Sequence, residues 1–264
     1  MKKDIKILLT NDDGLQSNGM KHLEQILSEH ADVWAVAPDR ERSATSQAIS
    51  IRDTLRMIQV NERHFMVNGF PADCVNVAFY SGRFPEFDLV ISGINHGENL
   101  GDDVHYSGTV GAARHAAVHC VKSIAISCPI REHDGNFFRA AIWLRNWIDA
   151  HYNILEKGIV YNINFPKENN PELNDDFPES IWTIHGRRRY VDNYEAIEES
   201  GDSTIFRLKE SVLGFENETN TDFSVMMGGK ISITPISIQT THTEELEKWK
   251  KKNLIENMQS SNVS

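Results

Sequence analysis

The run Ile5-Lys6-Ile7-Leu8-Leu9-Thr10, closed by Asn11-Asp12-Asp13-Gly14, constrains the chain more than any other stretch. A short apolar run rich in Ile and Leu and ended by a turn signal reads as a buried strand of a parallel sheet. In open α/β folds, ligands sit in the crevice beyond the carboxyl ends of such strands. Two adjacent carboxylates held there repel each other unless a cation or a shared proton offsets the repulsion. Hard oxygen donors of this kind suit Mg²⁺, Mn²⁺ or Ca²⁺ better than zinc. The same residues also serve as an ordinary Asp-Gly turn with solvated side chains. The rest of the chain has to decide.

Ser17 to His30 carries Met20, Leu23, Ile26 and Leu27 on one helical face, and Asp32 to Pro38 is a second strand. Strand, helix and strand in that order predict a parallel, right-handed unit. Asp39 to Ser50 then leaves the second strand as a polar stretch. Its Ser43 can offer a hydroxyl oxygen to a metal, and Arg40 or Arg42 can meet an anion, although such stretches are commonly just solvated loops. Thr54 to Gln59 and His64 to Val67 read as a short β excursion, and Gly69-Phe70-Pro71-Ala72-Asp73 turns into a helix.

Phe87 to Gly93 is the next buried strand, and it opens a Gly- and Asn-rich loop that runs to Gly111. A long ordered loop after a buried strand points to function. Asn95 comes directly off the strand, where it can give a neutral oxygen to the metal of Asp12 and Asp13, and Asn99 can assist from the loop. Ser107-Gly108-Thr109 starts a helix whose free N–H groups and hydroxyls suit a phosphate; plain N-capping by Ser107 is the competing reading. His96, His105, His115 and His119 have no metal-binding spacing. His96 or His105 can donate a proton to a leaving group, or is a surface histidine.

Lys122 to Cys128, a helix over Phe137 to His151 and a strand over Gly158 to Phe165 complete a doubly wound, Rossmann-like α/β domain over residues 1–166 with a mostly parallel sheet. Lys167 to Glu179 reads as a linker. Residues 180–258 read as a smaller β-rich extension, with strands at Ile181–Ile184, Thr204–Leu208 and Gly229–Ile238. Within it, Gly186-Arg187-Arg188-Arg189-Tyr190 forms a cationic cluster that suits a substrate rim, a subunit contact or a solvated hairpin. A terminal helix over Glu244 to Met258 carries Leu246, Trp249, Leu254 and Ile255, a stripe suited to packing on a second subunit. Gln259 to Ser264 reads as a disordered tail.

The net charge of −11 argues against binding a nucleic acid polymer, which relies on a basic surface to neutralise phosphates. No apolar run approaches the roughly 20 residues that span a bilayer, and no signal peptide is evident, so the expected compartment is the cytoplasm with no membrane partner. Cys74, Cys120 and Cys128 lack metal spacing and are expected to be buried free thiols.

Six ordered motifs carry a resemblance to the SurE family of stationary-phase nucleotidases. They are Leu9-Thr-Asn-Asp-Asp-Gly14, Ala37-Pro-Asp-Arg-Glu-Arg-Ser43, Gly69-Phe-Pro-Ala-Asp-Cys74, Ser92-Gly-Ile-Asn95, Asn99-Leu-Gly101 and Tyr106-Ser-Gly-Thr-Val-Gly111. The likeness continues more weakly through Gly186-Arg-Arg and Ile231-Ser-Ile-Thr-Pro235. It implies metal-dependent hydrolysis of nucleoside monophosphates, at 5′ and also 3′ positions, with short polyphosphate as a further substrate. The family's metal positions fall on Asp12, Asp13, Ser43 and Asn95, holding one divalent ion per subunit (Mg²⁺ or Mn²⁺, with Ca²⁺ as a crystal substitute). Its phosphate turn falls on Ser107, Gly108 and Thr109, and its substrate-side asparagine on Asn99. The resemblance also implies an extension exchanged between the subunits of a homodimer or homotetramer.

Two departures stand out. The Ser43 loop continues as Ala-Thr-Ser-Gln-Ala-Ile-Ser, where the family shows a more glycine-rich run, and Ser200-Gly-Asp-Ser-Thr-Ile-Phe-Arg207 replaces a family Asp-Pro-Arg-Gly and Tyr-Tyr-Trp region.

On this reading Asp12 and Asp13 are catalytic, with one of them orienting or deprotonating water or attacking phosphorus directly. A receiver-type signalling module also carries an acidic pair after its first strand. It needs a phosphate-accepting Asp and a paired Lys at later strand ends, where this chain has Ser92 and Asn95. Haloacid-dehalogenase phosphatases need an Asp-x-Asp alternation that Asp12-Asp13 lacks. A catalytically silent nucleotide-binding or scaffold protein on the same fold is the alternative.

Overall fold

A computed structural model describes residues 5–129, 135–166, 176–190, 193–209, 214–216 and 218–261. In chain order its elements are β1 (Lys6–Thr10), α1 (Asn18–Leu27), β2 (Asp32–Pro38), β3 (Met57–Gln59), β4 (His64–Val67), α2 (Pro71–Tyr80), β5 (Leu89–His96), a 3₁₀ turn (Gly101–His105), α3 (Gly108–Val118), β6 (Lys122–Cys128), α4 (Gly135–His151) and β7 (Ile159–Asn164). There follow β8 (Ser180–Trp182), β9 (Arg188–Arg189), β10 (Tyr194–Ser200), β11 (Ser203–Leu208), β12 (Gly214–Phe215), α5 (Asp222–Met227), β13 (Ile231–Ser237) and α6 (Thr243–Ser261).

Nine strands share one sheet in the order β3-β4-β2-β1-β5-β6-β7-β13-β8. From β4 through β7 every pairing is parallel, and β3 and β13 run antiparallel to β4 and β7. Because side chains alternate across a strand, Ile7 and Leu9 of β1 pack with α1 and α4 residues such as Leu23 and Leu144. Leu8 faces the other way, with Cys74 and Val75 of α2 and Ala112 of α3. Each central strand is buried on both sides, which is why these strands read as continuous apolar runs.

The sequence boundary at residue 166 does not fall at a sheet edge: β13 and β8, both beyond it, extend the main sheet. What leaves the sheet is the pair β9–β12 and the hairpin β10–β11, whose residues are exposed along its whole length. Between the strands of this part lies only one short helix, α5, of six residues among the described residues. The terminal helix runs on to Ser261 through part of the expected tail; Asn262 to Ser264 lie outside the described residues, as does most of the linker, Lys167 to Asp175. Leu246 and Trp249 of its stripe are exposed, and the side chains of Leu254 and Ile255 lie outside the description. Cys74 and Cys128 are buried as expected, but Cys120 is exposed, because the turn that ends α3 carries it to the surface. Among the described residues no helix is long and apolar enough to cross a membrane.

Candidate active site

β1 pairs with β2 on one side and β5 on the other, so successive connections leave it in opposite directions. A crevice opens at the carboxyl ends of such strands. Asp12 and Asp13 enter it just after β1, Asn95 and His96 at the end of β5, and Ser43 from the loop after β2. Asn11 shapes the first turn. Its buried amide donates to the Gly14 carbonyl (3.0 Å) and the Ser17 hydroxyl (2.7 Å), and its carbonyl accepts the Gly14 N–H (3.0 Å). Gly14 itself has φ +93°, in the left-handed region that favours glycine.

A cavity of about 420 Å³ is lined by Asp12, Asp13, Ser43, Asn95, Asn99 and Ser107, six of the eight expected site residues. Gly108 and Thr109 stand behind Asp12 instead. The Thr109 hydroxyl donates to Asp12 Oδ1, and the Thr109 N–H also supports that carboxylate. A Cβ on Gly108 would come within 2.8 Å of Asp12 Cβ, so glycine is what lets the start of α3 approach so closely. The first turn of α3 thus holds a carboxylate of the chain itself, as helix N-termini do for anions. Ser107 is its N-cap, accepting the Val110 N–H at 3.1 Å on its hydroxyl, and it also lines the cavity.

Burial pushes the Asp12 carboxyl up to about 6, with the Thr109 hydrogen bond opposing and the Asp13 charge adding to the rise. Burial also raises Asp13, opposed by the charge and N–H of His96, which donates to Asp13 Oδ2 at 3.2 Å. The Asn95 amide NH₂ donates to the Gly97 carbonyl (2.8 Å), leaving its oxygen for another partner. Asn99 is tied into the sheet, with its amide donating to the Ser127 hydroxyl at 2.7 Å and its N–H to Asn164 Oδ1 at 2.8 Å. The Ser43 hydroxyl donates to Glu41 Oε1 at 2.6 Å, so its lone pairs remain free.

Two carboxylates, a hydroxyl oxygen and an amide oxygen around one cavity make a donor set for a hard divalent cation. Among the described residues, no three His, Cys, Asp or Glu side chains close on one point.

Sequence reasoning passed over several lining groups. His96, read as a surface histidine or a proton donor, is half-buried, stacks on Phe137 (4.9 Å between centroids) and has a buried Nε2 with no partner among the described residues. Glu98, Asp103 and Tyr190 line the cavity as well. Arg188 and the Tyr190 hydroxyl both donate to the Asp103 carboxylate. The cationic cluster therefore reaches the site through these two residues, in keeping with the substrate-rim reading among the three that its sequence left open. His105 is exposed.

The family model described as survival protein SurE matches residues 7–192. A Leptospira interrogans protein named 5′-nucleotidase SurE is 44% identical over 241 residues, covering 90% of this chain and 93% of the relative. One of the same name from Pseudothermotoga lettingae is 37% identical over 239 residues, covering 89% of each. The crystal structure of the SurE protein from Aquifex aeolicus superposes with a TM-score of 0.78 at 28% identity, covering 94% of this chain and 99% of that one. A match running through β1, the Ser43 loop and the start of α3, with likeness along nearly the whole length, leaves one conclusion: the chain belongs to the SurE family.

Proposed function

We propose that the protein is a metal-dependent phosphomonoesterase that releases phosphate from nucleoside 5′-monophosphates, with 3′-monophosphates and short polyphosphate as further substrates. The observation that carries this reading is the Asp12–Asp13 pair, Asp12 buried and Asp13 partly so, lining one cavity with Asn95 and Ser43 at the sheet's switch point. Asp12, Asp13, Ser43 and Asn95 would hold one Mg²⁺ or Mn²⁺. When bound, such an ion screens the charge on the phosphate and acidifies water.

The chain's own residues supply the rest. Ser107, which lines the cavity at the start of α3, binds a phosphoryl oxygen beside Asp12, while Gly108 and Thr109 act from behind by holding that carboxylate. Asn99, held by Ser127 and Asn164, forms a rigid wall against which the phosphate is oriented. Asp12 accepts the proton of the attacking water as the water oxygen bonds to phosphorus and the ester P–O bond breaks. His96 gives a proton to the departing sugar oxygen from its Nε2, which has no partner among the described residues. The protein acts in the cytoplasm as a homodimer or homotetramer, a reading supported by the exposed hairpin β10–β11.

Phosphate release from 5′-AMP and 3′-AMP, with Mn²⁺, with Mg²⁺ and with chelator, tests this. Turnover should need the metal, and Asp12→Asn should lower kcat about 100-fold or more, the scale of losing one transition-state contact. Folded protein that releases nothing with either metal would instead be a silent nucleotide binder. His96→Gln should slow AMP more than p-nitrophenyl phosphate, whose leaving group needs no proton; equal slowing removes His96 from that role.

A further inference from the structure

Beside the phosphate cavity lies a second one of about 320 Å³, with different chemistry. Leu100, Phe215, Phe223, Met226 and Met227 give it apolar walls. Phe215 stacks face to face on the buried Phe223 (5.2 Å, 5° between planes), yet 43% of Phe215 remains exposed, and Met227 is 73% exposed. Large apolar side chains left open beside a polar site have a cost that a ligand would remove. The two cavities are neighbours. Glu98 lines both, and Arg188, in the second, pairs with Asp103, in the first, while its guanidinium lies 5.4 Å from the Phe223 centroid.

We propose that this second cavity takes the planar base of the nucleoside monophosphate whose phosphate enters the first, with Phe215 and Met227 as its walls. The proposal rests on the phosphomonoesterase reading for the identity of the ligand. A flat, weakly polar ring suits a wall of one aromatic face and adaptable thioethers, because stacking on a side chain tolerates any base. Glu98 stands at the join, where the sugar must cross, and its carboxylate can accept from ribose hydroxyls. Apart from Glu98 and Arg188, which is paired with Asp103, the described side chains of this lining are apolar, so the site favours having a base over which base it is.

The test has two arms. Adenosine is titrated into protein carrying ¹³C-methyl methionine, which should shift the Met226 and Met227 methyl signals, the latter assigned by its loss in Met227→Ala. In parallel, kcat/KM is measured for 5′-AMP and for ribose 5-phosphate. The ratio of the two should fall about tenfold in Phe215→Ala and several-fold in Met227→Ala. Unmoved methyls, or an unchanged ratio in both variants, overturns the subsite. Moving methyls in a protein that hydrolyses neither substrate keep the subsite and remove the phosphomonoesterase reading. Hydrolysis of both substrates with unmoved methyls does the reverse.

Discussion

At Asp12 burial and the neighbouring Asp13 charge favour the neutral acid, while the hydroxyl and N–H of Thr109 favour the carboxylate. The balance lies near 6, and that gives the proposed metal site a pH dependence. A carboxyl must be ionised to ligate a cation, so binding releases a proton wherever the free site is protonated. Mn²⁺ affinity measured calorimetrically should be flat above pH 7 and weaken as pH falls through 6, approaching tenfold per unit below it. Affinity that does not change between pH 7.5 and 5 would take Asp12 out of the ligand set. The loop that brings Ser43 to the same cavity shows a different residue-scale feature. Ala44 and Ser46 both have φ +53°, a conformation that costs a side chain about 1–2 kcal/mol. This is the stretch where the family is richer in glycine, and the Ser46 N–H bond to the Tyr106 carbonyl (2.8 Å) helps to hold the strained form.

Two element junctions keep the site assembled. Asp73, in the first turn of α2, accepts the Phe70 N–H (2.9 Å) and both the N–H and hydroxyl of Ser50 (2.8 Å each), which anchors the far end of the Ser43 loop. This accounts for the Gly-Phe-Pro-Ala-Asp motif as structure. At the other junction, fully buried Asp222, at the start of α5, accepts N–H groups from Gly101 (2.7 Å), Gly186 (2.8 Å) and Phe223 (2.9 Å), with His185 Nδ1 3.0 Å away. It thereby joins the 3₁₀ turn before α3 to the segment that delivers Arg188 and Tyr190. Asp222→Asn keeps the shape but replaces one acceptor with an NH₂, leaving a buried N–H unpaired. The expected loss is about 1–3 kcal/mol of unfolding free energy in urea titration. A loss below a few tenths would show that the junction relaxes freely.

For the molecule as a whole, the hairpin β10–β11 is the segment that a single chain explains least. Tyr194, Ile197, Ile205, Phe206 and Leu208 are all exposed on it, and an isolated two-stranded hairpin is marginal in water. A second copy that covers it is the proposed remedy. Sedimentation should find a dimer or larger species, and Ile205→Asp with Phe206→Asp should move it toward monomer with the main sheet intact. A monomeric wild type would refute the homo-oligomer. Much of the catalytic half was legible beforehand, because its signals are local. Apolar runs report strands buried on both faces, and the residues that follow them mark where a parallel sheet opens its crevice, so Asp12, Asp13, Ser43 and Asn95 could be singled out as candidates from position, and the family resemblance joined them into one proposed metal set. The partners that tune them could not. Thr109 holds Asp12 across 97 residues, Asp222 holds Gly101 across 121, and Arg188 reaches Asp103 across 85. A sequence pattern senses neighbours two to four residues away, through strand alternation and helical turns. Which distant side chains meet, and that β13 and β8 close the main sheet, is decided by the path of the folded chain.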